Sequence, residues 1–199
     1  MNPTRREVLR TFGVALVLLP LCLAAWYLAA GAIGWLPARL AAPAIGAAAG
    51  KVVAVEAGQR SVAYVVEVEG PYRPGGAARA EARLEVPAAT YTFGIAIFTA
   101  LVLSARGWRS PARFALGLAI LLPLPAFGIA FDALRQLGAA PQVAPLLAWG
   151  PGMREAIALA YQVGSLLLPT LAPIAAWLAL FPAAWRAELG PRLRGGDNR

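Results

Sequence analysis

Apolar residues in this chain run in four long stretches, separated by segments rich in arginine or in proline and glycine. The first, residues 12–36, reads FGVALVLLPLCLAAWYLAAGAIGWL and follows Arg5, Arg6 and Arg10. The second, AATYTFGIAIFTALVLSA, covers 88–105. A third, FALGLAILLPLPAFGIAF, covers 114–131, and a fourth, AIALAYQVGSLLLPTLAPIAAWLALF, covers 156–181. Each approaches the roughly 20 apolar residues that cross a hydrocarbon core of about 30 Å. The pattern therefore predicts four transmembrane helices with both termini on one side. Pro123 and Pro125 in the third, and Pro169 and Pro173 in the fourth, each remove a backbone N–H and are expected to bend their helices. Trp35, Tyr91, Trp177 and Trp185 fall near span ends, where interfacial anchors belong; Trp26 and Tyr27 fall deeper, as packed residues.

Between the first two stretches the periodicity changes. KVVAVEAGQRSVAYVVEVEG reads as two strand-like segments broken at a hairpin turn, Gly58-Gln59. RAEARLEV then alternates, with Arg79, Glu81, Arg83 and Glu85 on one face and Ala80, Ala82, Leu84 and Val86 on the other. GPYRPGG, between them, is expected to be a loop. A three-stranded antiparallel meander results, with one charged and one apolar face. The charged face reads as solvated, or as a ligand surface. So small a sheet is not stable alone, and its apolar face needs a cover: the segment PARLAAPAIGAAAG, the membrane surface or a partner protein.

The fold class expected is thus a membrane all-α protein with a small β insertion. Residues 1–37 hold the N-terminus and helix 1, and 38–87 form a β-rich domain. Residues 88–185 hold helices 2–4, with a loop near 106–113 on one side and a loop near 132–155 on the other. Residues 186–199 are a tail. Within the later loop, GAAPQVAPLLAWGPGM is expected to lie on the membrane surface under the sheet.

Composition agrees with the membrane reading: 59% of residues are hydrophobic and 14% charged, against about a quarter charged in soluble domains. The net charge of +8 is not a nucleic-acid footprint, because no basic run alternates with aromatics. Topology explains it better. Placing the N-terminus, the 106–113 loop and the tail in the cytoplasm gives these short segments ten of the eighteen basic residues. The β-rich domain then faces the periplasm of a bacterial inner membrane. TRREVLR resembles a twin-arginine export signal, but the apolar run after it is too long for a signal peptide, so it is expected to be an uncleaved anchor.

With no histidine and Cys22 as the one cysteine, an intramolecular disulfide, a Cys/His metal site and a histidine general base are all excluded. Cys22 reads as a packing residue. No cofactor motif is present, and membrane lipid is the first expected partner.

What polar chemistry remains lies at the end of the third span and in the fourth. In FGIAFDALRQLG, Asp132 and Arg135 stand one helical turn apart. They read either as an ion pair at the outer end of the helix or as an interior pair facing Arg154 and Glu155. A carboxylate at the bilayer centre costs about 2.5–3.5 kcal/mol on insertion scales, which favours the boundary. In AYQVGSLLLPTLAP, Tyr161 precedes Gln162 and Ser165, which share a face beside Gly164. Close helix packing is one reading of them; the polar lining of a conduit, with Asp132 and Arg135, is the other.

LPLCLAAWYLAA in span one, PAFGIAFDALRQL ending span three and ALAYQVGSLLLPTLAPIAAWLAL in span four are similar to the exosortase H-associated membrane proteins. With the β-rich segment, these stretches cover the greater part of the chain. The resemblance implies a bacterial inner-membrane protein encoded beside an exosortase, a polytopic transpeptidase-like enzyme acting on proteins that carry a C-terminal sorting signal. It implies a non-enzymatic accessory role, with the exosortase or its substrate as partner, and supplies no catalytic residues. Exosortases use Cys, Arg and His, so this chain is not itself the exosortase.

Overall fold

The computed structural model describes residues 3–73, 76–104 and 110–182. Its first helix does not stop at Leu36. Helix α1 runs over Pro3–Ala49, 47 residues, a rod of about 70 Å at 1.5 Å rise per residue. Residues 38–49, expected in the β-rich domain, are therefore helical. Alanine-rich sequence favours helix, and Pro37 and Pro43 are accommodated inside it. Ala38, Ala41, Ile45 and Ala49 recur at three- and four-residue spacing and are buried as one stripe.

That stripe is covered by the sheet. Strands β1 (Lys51–Ala57), β2 (Val62–Arg73) and β3 (Gly76–Val86) form an antiparallel meander in the order β1-β2-β3. The alternation expected for the third strand is present: Ala82, Leu84 and Val86 are buried, and Arg79, Glu81, Arg83 and Glu85 are exposed. Val62, Tyr64, Val66 and Val68 of β2 complete the inner face and join the α1 stripe in one core. Of the three covers considered for the sheet, PARLAAPAIGAAAG is one that it has. The Tyr64 hydroxyl donates to the Ala38 carbonyl oxygen at 2.8 Å, and burial pushes its pKa up, keeping it a donor. On the outer face Arg79 pairs with Glu69 at 3.0 Å and Arg83 with Glu56 at 2.7 Å. The Glu56 carboxylate raises the Arg83 pKa.

GPYRPGG is not a free loop. β2 continues to Arg73 and β3 starts at Gly76, with a register shift between Glu69 and Tyr72. A bulge there admits Gly70 and Pro71, because proline's missing N–H is tolerated where the ladder is already broken.

After the sheet come α2 (Ala89–Thr92) and α3 (Gly94–Ser104), then α4 (Pro111–Leu121) and α5 (Pro123–Ala139). A short α6 (Ala144–Leu147) precedes α7 (Pro151–Gln162), a π-helical segment Val163–Leu167 and α8 (Leu168–Leu180). Among the described residues, three helical rods are long and apolar enough to cross a membrane: Phe12–Ala49, Pro111–Ala139 and Pro151–Leu180. Ala89–Ser104 is apolar but shorter, about 24 Å long.

The loop expected near 132–155 shrinks to residues 140–150. α5 carries Asp132 and Arg135 inside it and ends at Ala140, whose extended backbone precedes Pro141 as proline demands. α6 packs on the sheet, where a Cβ added to Gly70 would meet Leu146 Cδ2 at 2.8 Å. Toward the opposite end of the helices, Phe98, Leu101, Leu121, Trp177 and Phe181 form a second core. Trp177, 3% exposed, is therefore packed and not an interfacial anchor. Trp185, the tail and the first half of the 106–113 loop lie outside the described residues. The description resumes at Ser110, whose hydroxyl accepts from the Arg113 N–H to cap α4.

The turn from α1 into β1 is made at Gly50, where φ is +146° and an added Cβ would collide with the Glu67 carbonyl oxygen. Gly50→Ala is expected to destabilise the protein by about 1–3 kcal/mol, read as a lower unfolding temperature in detergent. Gly13→Ala, with nothing within 4 Å of the new Cβ, should leave it unchanged or slightly raised.

Candidate functional site

Asp132 is 3% exposed, on α5 where that helix meets the sheet. An ionised carboxylate can only accept, so a buried one needs donors. Two side chains supply them. Arg135 donates to Asp132 Oδ1 at 2.8 Å and Gln136 Nε2 at 3.4 Å. Tyr91 of α2, 2% exposed, is buried beside the same carboxylate. The Arg135 guanidinium sits 4.5 Å from the Tyr161 ring centroid, which brings α7 into the cluster. Gln136 also donates to the Glu85 carbonyl oxygen at 3.2 Å. One amide thus links the buried carboxylate to the last strand of the meander.

Glycines make this approach possible. Gly128 lies one turn before Asp132 on the same face of α5, and an added Cβ would collide with the Tyr91 ring. A Cβ on Gly164 would meet Gly128 Cα at 2.7 Å, so α5 crosses the π-helical segment backbone to backbone. Beside the crossing, Trp26 Nε1 donates to Thr92 Oγ1 at 3.2 Å, joining α1 to α2. Farther out, Trp149 Nε1 donates to the Ala48 carbonyl oxygen at 3.2 Å, one of the last-turn carbonyls that α1 leaves unpaired.

Of the seven residues marked in the sequence, Asp132, Arg135 and Tyr161 come together. Arg154 is exposed at the start of α7, where it shares a cavity of 160 Å³ with Arg135 and Trp149. Glu155 and Gln162 are exposed, and Ser165 is half-buried in the π-helical segment outside the cluster. Asp132 therefore does not turn to Arg154 across the bundle, and Gln162 does not line a common polar channel with it. Sequence reasoning missed two members. Tyr91 was expected at the interface and is instead buried against Asp132. Gln136 was overlooked, although its place four residues after Asp132 on one helix face is a signal. Among the described residues no group of three or more His, Cys, Asp or Glu side chains clusters as a metal site would.

A family model described as Exosortase H-associated membrane protein matches residues 5–184. The chain belongs to that family. No curated protein and no solved structure matches it. The family's description makes this a membrane protein associated with exosortase H, and the match runs through α1, the sheet and the helices that carry Asp132, Arg135 and Tyr161.

Within this family member, Asp132 is enclosed while the Arg135 side chain is 44% exposed. Losing the arginine strands a buried charge; losing the carboxylate leaves an arginine that reaches water. Arg135→Met is expected to cost about 2–3 kcal/mol and Asp132→Asn about 1 kcal/mol, with a coupling of about 1–2 kcal/mol in the double mutant. Detergent unfolding of the four proteins checks the order.

Proposed function

We propose that this chain is a non-enzymatic accessory of an exosortase-type sorting system in the bacterial inner membrane. It scaffolds the sorting enzyme or its membrane-anchored substrate, with the sheet in the periplasm and both termini in the cytoplasm. Four crossings fit this reading. α1 and α5 both end at the sheet, so the chain between them has to return, and Ala89–Ser104 is the apolar segment available.

The observation that carries the proposal is the outer face of the sheet. It is held on the helices by a common core, and it is charged. Its pairing is incomplete. Glu67 stands between Lys51 of β1 and Glu81 of β3 in the register, and among the described residues neither glutamate makes an ion pair within 4 Å. Like charges opposed across strands are destabilising. A basic surface on a partner relieves that repulsion and sets the orientation of docking.

Co-isolation with the neighbouring exosortase from mild detergent tests this. Glu67→Gln together with Glu81→Gln removes the opposed charges and is expected to reduce recovery of the enzyme several-fold without lowering the unfolding temperature. The proposal fails if the exosortase never co-isolates and deletion of the gene leaves substrate processing intact.

A further inference from the structure

The turn between β1 and β2 presses against the side of α1. A Cβ on Gly31 would meet the Gly58 and Gln59 carbonyl oxygens, both at 2.7 Å, so the glycine lets the hairpin lie on the helix backbone. Beside this contact a groove of 810 Å³ opens, lined by Tyr27, Leu28, Ala32 and Trp35 of α1 and by Gln59 and Arg60 of the turn. Arg60 stacks over the Tyr27 ring at 4.0 Å, and Arg39 over the Trp35 ring at 4.8 Å. Among the described residues neither guanidinium makes an ion pair.

Depth gives this groove its meaning. If α1 enters the hydrocarbon at Phe12, where its membrane-spanning stretch begins, about 20 residues cross a core of about 30 Å. The sheet-side boundary then falls close to Ala32. Arg60, held against Tyr27 five residues earlier on α1, sits about 7 Å to the hydrocarbon side of that boundary, and the groove lies across it. Leu28 is 87% exposed on the apolar side and Trp35 40% exposed on the polar side. A guanidinium at this depth without a carboxylate needs an anion, and the anion available at the glycerol level of a bilayer is a lipid phosphate. Arginine presents several donors to phosphate at once.

We propose that the groove between α1 and the β1–β2 turn binds one anionic phospholipid. Its phosphate lies on Arg60 and its acyl chain runs from Leu28 toward the bilayer centre. Trp35 stands at the headgroup level, where Arg39 adds a second positive charge. The hairpin is thereby seated on the membrane surface as well as on the protein core.

The test uses the full-length protein in mild detergent, titrated with phosphatidylglycerol or phosphatidylcholine and read by native mass spectrometry and by unfolding temperature. Phosphatidylglycerol is expected to bind about ten-fold more tightly than phosphatidylcholine, with one lipid retained per chain. Arg60→Gln should abolish that preference, Arg60→Lys should keep most of it, and inorganic phosphate should not displace the lipid. Equal binding of the two lipids, or an unchanged preference in Arg60→Gln, would overturn the proposal. So would displacement by inorganic phosphate, which would make the site a free-anion site. Tyr27→Leu keeps the apolar wall and removes the stacking surface, so a reduced preference there, with unchanged unfolding temperature in lipid-free detergent, separates a binding defect from a folding one.

Discussion

A three-stranded meander cannot bury enough apolar surface by itself, and the architecture follows from how this chain covers it. Val62, Tyr64, Val66 and Val68 on β2, with Ala82, Leu84 and Val86 on β3, present an apolar face that has to leave water. The extension of α1 past its membrane-crossing portion provides the floor. Its contact stripe is mostly alanine, which lets strands approach the helix closely. Each valine or leucine so enclosed is worth about 1.5–3 kcal/mol, more than surface ion pairs on the other face provide. α5 and α6 close the remaining sides.

Polar ties then fix the position that packing allows. Tyr64 reaches the Ala38 carbonyl, Trp149 the Ala48 carbonyl and Gln136 of α5 the Glu85 carbonyl of β3, so the sheet and the loop before α7 are tied to the helices at separated points. The Asp132 cluster is the deepest of these ties. Its carboxylate is held by Arg135 and Gln136 on α5, with Tyr91 of α2 buried beside it, and reaches α7 through Arg135 and Tyr161. A buried ion pair of this kind adds little net stability but penalises alternative arrangements, and that suits a protein whose proposed work is to hold a charged face at a set height above the bilayer.

Much of this was legible in the sequence. The alternation of RAEARLEV assigned inner and outer faces of β3 correctly, because a period of two leaves no ambiguity once one face is charged. The apolar runs located the helical rods. What the sequence hid came from tertiary context. PARLAAPAIGAAAG contains two prolines that read as breakers, yet it continues α1 because its alanines are buried under the sheet. Asp132 looked like a residue at a helix end because hydropathy stops there, whereas the sheet and α7 carry the enclosed interior beyond the apolar run. Tyr91 carried no local sign of its role, since its partner lies far along the chain. Gly128, one turn from Asp132, was the available clue that something packs closely on that face.

The central claim is that residues 38–49 of α1 and the meander form one cooperative unit. Hydrogen exchange of the full-length protein in lipid nanodiscs tests it most directly. The account predicts that amides of residues 38–49 are protected to the same degree as those of 62–69 in β2, and that both open together when denaturant is added. Exchange of residues 38–49 at the rate of an exposed, unattached helix, while β2 stayed protected, would contradict it.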